Sequence, residues 1–403
     1  MVELSLGDAL EELIDHRGKT PLKLGSTFTE DGVPVVSAIM VKDGCLNLDD
    51  ARYVSESIAR KWMPVSVRHG DVLLTSEAPL GRVARVTSDR PLVLGQRIFG
   101  LRGKDGILDS GFLFYALQTS QLQAAMQGLS TGSTVSGIRQ SALRGLVIHA
   151  PDYPEQQAIS AVLGSLDDTI AANGRISTAA FGLAAQIALG LMRRSATGTP
   201  TVVRDLGQIY DGPHATPTRG DGNGPYFLNI SSLKSGRLDL AESDRLSEED
   251  FTKWTRRVTP LENDLLFSYE TRLGEAALMP GDIRACLGRR MALLRPNLDR
   301  VDPHFLLHFY LSPGFQRTIS MHTIHGATVP RIGLAKMCDW EVALPSIEDQ
   351  RSIAGQLKSL HDLTLQAERE SASLASARDQ LLPLLMAGKL SVKGAESLVE
   401  EVV

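Results

Sequence analysis

The chain has 403 residues, with 42 Lys and Arg against 47 Asp and Glu, a net charge of -5, and 43% hydrophobic content. That composition predicts a globular protein of two or three domains, and three scattered cysteines (Cys45, Cys286, Cys338) exclude a disulfide framework. An acidic, amphipathic start and no apolar run near the roughly 20 residues of a membrane span predict a cytoplasmic protein without signal peptide or membrane contact.

Residues 1–150 carry 16 basic and 16 acidic residues. Short β-type runs, VPVVSAIMV, DVLLTSE and LRGLVIHA, alternate with Gly, Pro and Asp turns, and FLFYALQTSQLQAAM has helical spacing. This predicts a mixed α+β globule. The texture then changes. Steps of four and three run through Ile159, Leu163, Leu166, Ile170, Asn173, Ser177, Ala180, Ala184, Ile187 and Leu191. That is a heptad seam on a helix of about 33 residues, roughly 50 Å long. Residues 201–345 return to β-type runs, GPYFLNISS, NDLLFSY and WEVALP, with helix-like HFLLHFYLSPGFQRTI. Their charge is balanced at 17 basic to 18 acidic, and 14 of the 17 are arginine, whose planar fork pairs at two points with guanine or phosphate. A second seam follows through Ile353, Leu357, Leu360, Thr364, Ala367, Ser371, Leu374, Arg378, Leu381 and Leu385. Small seam residues permit close approach of two helices, while Asn173 and Thr364 restrict register. Each helix packs either on its own globule or, as seams this long favour, on the other helix.

The two halves repeat one another. GDVLLTSEAPLGRVA (Gly70 to Ala84) faces NDLLFSYETRLGEAA (Asn263 to Ala277), and LGQRI (Leu94 to Ile98) faces LGRRM (Leu287 to Met291), both at a spacing of 193. GSTVSGI (Gly132 to Ile138) and GATVPRI (Gly326 to Ile332) lie 194 apart, as do APDYPEQQAI and LPSIEDQRSI, and Trp62 faces Trp254. The pattern is a tandem duplication of a unit of about 200 residues, too long for a solenoid repeat. The order globule, helix, globule, helix predicts antiparallel helices and a pseudo-twofold relation between the copies.

Other chemistry can be set aside. Gly128-Leu-Ser-Thr-Gly132 fits G-x-S-x-G, but a helical stretch precedes it where a nucleophile elbow requires a strand. His304 and His308, with His322 and His325 nearby, lack the Glu of HExxH, so a half-buried helix face is preferred to a metal site. Gly18-Lys19-Thr20 lacks the upstream glycine of a phosphate loop, and no adenine-methyltransferase tetrad or Asp/Glu/Lys nuclease cluster is present.

The doubled motifs, in their shared order over about 1–390, resemble the DNA-specificity subunit of type I restriction–modification systems. They are GDVLLTS…LGRVA and NDLLFSY…LGEAA, LGQRI and LGRRM, GSTVSGI and GATVPRI, and the Pro-x-x-x-acid-Gln boundaries PDYPEQQAI and PSIEDQRSI. HATPTRGDGNGPYFLNISSLKSGRL resembles the opening of that family's recognition domain. The resemblance implies two similar mixed α/β target-recognition domains, 1–152 and 198–345. Two long antiparallel coiled-coil helices, 153–197 and 346–390, would separate them, and a flexible tail would cover 391–403. It implies a non-catalytic subunit that reads a bipartite target in double-stranded DNA. Two methyltransferase subunits and motor-nuclease subunits would dock on it, carrying S-adenosylmethionine and ATP/Mg, with no cofactor or metal on this chain. The chain starts almost directly at the first recognition domain, without a long leading helix. An architectural protein–protein scaffold with two heads is the alternative.

Two heads on such a rod can enter grooves of a duplex that recur about every 34–36 Å. The candidate DNA contacts follow the repeated motifs. Ser133, Thr134 and Thr328 can donate to phosphate, with Arg139 and Arg331 close behind; the alternative is a structural turn whose Val135 and Val329 plug the core. LGQRI and LGRRM read as strands carrying Gln96, Arg97, Arg289 and Arg290 at a DNA-facing rim. Arg82 stands against Glu275, a difference expected if the heads read different sequences. Arg17, Lys19, Thr20, Thr216, Thr218, Arg219 and Arg272 complete the set.

Overall fold

The computed structural model describes residues 1–42, 44–132, 136–195, 198–213, 222, 224–326 and 329–400. The chain forms two compact units, Met1–Asn173 with Arg369–Val403, and Gly174–Glu368.

In the first unit, β1 (Leu10–Ile14), β2 (Val72–Thr75), β3 (Val83–Arg85) and β4 (Ile98–Gly103) form an antiparallel sheet in the order β1-β4-β2-β3. The run Val72-Leu-Leu-Thr75 is buried throughout because alternate residues enter different cores. Val72 and Leu74 join Phe112, Leu113 and Tyr115 on one face, while Leu73 joins Val35, Trp62 and Ile98 on the other. The second unit repeats this sheet with β5 (Gly207–Asp211), β6 (Leu265–Ser268), β7 (Ala276–Leu278) and β8 (Met291–Pro296), in the order β5-β8-β6-β7.

The same ion pair, on a buried carboxylate, braces both sheets. Arg102 pairs with Asp71 at 2.7 Å, and Arg295 with Asp264 at 2.7 Å. Each carboxylate also accepts a backbone N–H, from Arg68 and from Leu261, both at 2.8 Å. Each arginine also donates to a backbone carbonyl, of Ser66 or Thr259. Satisfying the charges this fully is what lets them be buried at all.

The Pro-x-x-x-acid-Gln boundaries have a defined task. Gln156, 1% exposed, accepts from the backbone N–H of Asp109 (2.9 Å) and donates to the carbonyl of Pro151 (3.0 Å). Gln350 does the same with Asp302 (3.0 Å) and Pro345 (2.9 Å). Asp109 and Asp302 in turn cap the helices Ser110–Ala116 and Pro303–Leu311. One glutamine thus fastens each globule to the start of its long helix.

Those helices are α1 (Tyr153–Arg194) and α2 (Ile347–Met386). In the first unit Ile159, Leu163 and Leu166, with half-buried Ile170, share a core with Leu374, Leu381 and Leu385. In the second, Ala184, Leu191 and half-buried Ile187 share one with Ile353, Leu357 and half-buried Leu360. The beginning of α1 therefore meets the end of α2, and the reverse, so the helices run antiparallel. Asn173, Ser177 and Thr364 are buried seam positions. An 18-residue window of α1 reaches a mean hydropathy of 1.3, long and apolar enough to cross a membrane by length and composition alone; because α1 packs against α2 and both cores, this is weak evidence of a span. Leucine, isoleucine and alanine in its second half account for that apolarity.

The tail expected to be flexible contains a helix, α3 (Val392–Glu400). The chain reverses at Gly388 (φ 64°), and Ala395 is fully buried, with Leu390, Val392 and Val399 packed on the first unit's core.

Candidate nucleic-acid interface

Three repeated segments converge on one edge of the sheet in each unit. In the first, Ser76 donates its N–H to Arg97 O (2.8 Å) and its carbonyl accepts from Ile138 N (2.9 Å). Gly137 bridges to both Glu77 and Thr131. In the second, Tyr269 N donates to Arg290 O (3.1 Å) and Tyr269 O accepts from Ile332 N (2.8 Å), while Arg331 bridges to both Glu270 and Ile324. The echo of GSTVSGI in GATVPRI therefore reflects one docking geometry. The buried plugs are Ile138 and Ile332, each 2% exposed, and Val329 is only half-buried. A glutamine on the neighbouring helix pins the turn after the strand: Gln123 donates to Gly81 O (2.8 Å), and Gln316 to Gly274 O (3.1 Å).

LGQRI and LGRRM are not strands. The strands Val93–Leu94 and Ala285–Leu287 stop there, and the next begin at Ile98 and Met291. Between them Gly95–Arg97 and Gly288–Arg290 form equivalent turns. The glycine is required by close approach: a Cβ on Gly95 would meet Val36 O at 2.6 Å, and one on Gly288 would meet Leu228 O at 2.2 Å. Arg97 and Arg290 both adopt φ 71°. Left-handed backbone costs a non-glycine residue about 1–2 kcal/mol. Gln96 and Arg289 sit exposed at the tips of these turns. Behind them Arg97 pairs with Glu77 at 2.9 Å and Arg290 with Glu270 at 3.2 Å.

The other candidate residues divide. Arg331 and Arg139 are exposed beside the turns. Arg82 is half-buried next to Gly81, its N–H donated to Thr75 Oγ1. Three of the candidate cations also make contacts within the chain. Arg17 pairs with Asp15 (2.8 Å) and lies 4.0 Å over the Phe99 ring. Lys19 donates to Trp62 O (2.8 Å), satisfying a carbonyl at the end of the helix Glu56–Trp62. Arg272 donates to Ile230 O (3.0 Å) and pairs with Glu275. Thr20 Oγ1 accepts from Lys23 N (3.3 Å) within its own turn. Ser133, Thr134, Thr216, Thr218, Arg219 and Thr328 lie outside the described residues, as does Val135.

Sequence reasoning missed two features. Lys253, Arg256 and Arg257 follow one another at the end of the helix Glu248–Trp254, beside a cavity of about 380 Å3 also lined by Trp254 and Asp211. The signal was the run KWTRR, whose counterpart in the first unit reads KWMPV. The other is the pair of carboxylates, Glu77 and Glu270, at the centre of each site.

His304 and His308 are buried, 7% and 5% exposed, and His304 stacks edge-on against His361 at 5.3 Å. Burial pushes His308 and His361 down to about 4, with mutual repulsion among the imidazoles adding to it. Among the described residues no group of three or more His, Cys, Asp or Glu is placed to hold a metal ion.

The chain is therefore a duplicated α+β fold that presents the same turn cluster twice, on paired antiparallel helices. Residues 2–179 match the model of the type I restriction modification DNA specificity domain. The chain is 22% identical to the putative type I restriction enzyme MjaX specificity subunit of Methanocaldococcus jannaschii, over 90% of this chain and 88% of that protein. It is 20% identical to the MjaVIII specificity subunit of the same organism, over 96% and 92%. Its fold is that of the type I restriction–modification S subunit of M. genitalium, with a TM-score of 0.63 at 16% identity and 95% of each chain covered. The chain is thus similar over nearly its whole length to type I restriction enzyme specificity subunits, and its first half matches the DNA specificity domain.

Proposed function

We propose that this chain is the DNA-recognition subunit of a type I restriction–modification complex, each unit reading one half of a bipartite target. The observation that carries the reading is the doubled turn cluster, with Gln96 and Arg289 exposed at equivalent tips on equivalent backbone. A glutamine amide pairs at two points with adenine and a guanidinium with guanine, so one frame carrying different tips reads different half-sites. Each good contact is worth about 1–3 kcal/mol, and joining two short readings on one scaffold gives the specificity neither has alone.

Double-stranded DNA is the ligand. The outward face of the helices, including exposed Ile176, Leu183 and Leu363, recruits two methyltransferase subunits, which carry S-adenosylmethionine. Motor-nuclease subunits that use ATP and Mg join that assembly. Methylome sequencing of cells that express the chain with its methyltransferase tests the reading. The expected result is a single bipartite motif with a fixed gap. Methylation at a continuous site, or none alongside stable protein–protein complexes, would favour a scaffold without sequence reading.

A further inference from the structure

We propose that Glu77 and Glu270 are specificity-determining positioning residues. Each holds its arginine in a fixed pose and occupies the place a non-cognate phosphate would take. The inference rests on the DNA-recognition reading above.

The two ion pairs are the same device built twice. Glu77–Arg97 (2.9 Å) and Glu270–Arg290 (3.2 Å) are each 193 residues from their counterpart, and in both Nε is the atom nearest the carboxylate, at Arg290 as an ion pair without hydrogen-bond geometry. Side-chain exposures are 51% for Arg97 and 37% for Glu77, a surface pair that contributes little to folding, and 30% for Arg290 and 24% for Glu270, a mostly buried one. Nevertheless both units keep the pair and set its arginine on left-handed backbone, at φ 71°. Neighbours differ in the same comparison: Gln96 against Arg289, Gly137 against Arg331, Arg139 against Gly333. Each glutamate is itself fixed, because its backbone is the strand partner of the echo loop at Gly137 or Arg331. What is constant is the pair; what varies is the rim around it.

The electrostatic consequence has a sign. An unpaired arginine on a rim binds any phosphate and releases a counterion, adding to affinity without sequence information. A carboxylate on its Nε neutralises that charge and repels phosphate. The Arg97 side chain is 51% exposed with its Nε on Glu77, which leaves the Nη donors for guanine O6 and N7. Arg290 has one Nη1 donor on Thr271 Oγ1 (3.2 Å), which orients it further. The pair thus trades indiscriminate phosphate affinity for base-edge contacts.

The test uses the double variant Glu77→Gln, Glu270→Gln of the full chain, assembled with its methyltransferase. Binding is measured over a salt series to a duplex carrying the methylome-defined target and to a scrambled duplex. The expected result is several-fold tighter binding to the scrambled duplex, a salt slope steeper by about two, and a lower ratio of target to scrambled affinity. An unchanged slope with unchanged scrambled affinity overturns the inference. So does equal weakening on both duplexes, which would make the glutamates mere props. If the unsubstituted complex does not distinguish the duplexes, the DNA-recognition reading falls and this inference with it.

Discussion

Arg378 on α2 donates from Nη1 to Asp167 Oδ1 on α1 across 2.7 Å, and the other oxygen of Asp167 accepts the Tyr115 hydroxyl at 2.6 Å. Helix, partner helix and globule meet at one carboxylate. Both charged side chains are about three-quarters buried, at 30% and 24% exposure, so the interaction lies between a surface pair and a fully buried one. Arg378→Ala should therefore destabilise the first unit by about 1–2 kcal/mol while leaving the second unchanged. Hydrogen exchange resolved by segment would read this: faster exchange confined to 1–173 and 369–400 is expected.

The second unit has no such carboxylate. The positions 193 and 194 residues on from Tyr115 and Asp167 are His308 and His361. Both are held below 6.5, at about 4, chiefly by burial. The folded state thus binds fewer protons than the unfolded chain between those values, so stability of this unit is full above pH 6.5 and declines as pH falls toward 4. Acidification from pH 7 to 5 should open the second unit before the first. His308→Phe should remove part of that sensitivity, since the ring already packs against Phe181 at 5.1 Å. Thermal unfolding followed at pH 7, 6 and 5 checks it; parallel losses in both units would contradict it.

Arg331 differs from Arg289 in how it is mounted. Its backbone is locked in a two-residue bridge to Ile324, and its side chain is exposed. We expect it to clamp phosphate. Arg331→Ala should weaken binding to target and scrambled duplex alike and lower the salt slope by about one, with the methylated motif unchanged. Arg289→Ala should instead relax a position in one half-site, at a cost of about 1–3 kcal/mol in discrimination. Methylome sequencing of each variant separates the two roles.

The seams and the duplication were legible because each depends on spacing, and spacing survives in a linear text. Ile159, Leu163 and Leu166 fall where heptad steps place them, and Gln156 and Gln350 stand in motifs whose task only the hydrogen bonds reveal. The turn in LGQRI was not legible, since its residues have strand composition and the close approach of Val36 to Gly95 is tertiary. Searching for DNA contacts by positive charge selected Arg17, Lys19 and Arg272, which also hydrogen-bond within the chain to Asp15, Trp62 O and Ile230 O. The same search passed over Glu77 and Glu270. The tail helix was missed because its apolar face is short and depends on Leu390 and Ala395 meeting a core built by distant residues.

The last prediction uses the seam directly. The slot that holds Arg378 in α2 holds Ala184 in α1, 194 residues earlier. A fragment of residues 1–200 contains the first globule and all of α1, and a second copy of α1 can take the place of α2 in antiparallel register. The seam permits this, because Ile159 and Leu163 would face Leu191 and Ile187 of the copy, and Asn173 of each copy would face Ser177 of the other across the dyad, where the two can hydrogen-bond. Asp167, however, would face Ala184 and lose its cation, leaving a partly buried carboxylate with only the Tyr115 hydroxyl. The fragment should therefore form a twofold dimer that dissociates more readily than the intact chain loses its helix pairing. Ala184→Arg should restore the missing pair twice in each dimer, once at either end of the coil. Two pairs at about 1 kcal/mol each correspond to roughly a thirty-fold tighter dimer. Sedimentation equilibrium of the fragment with and without Ala184→Arg measures the difference directly. An unchanged dissociation constant would mean that α1 does not pair with its own copy in the register that α2 adopts.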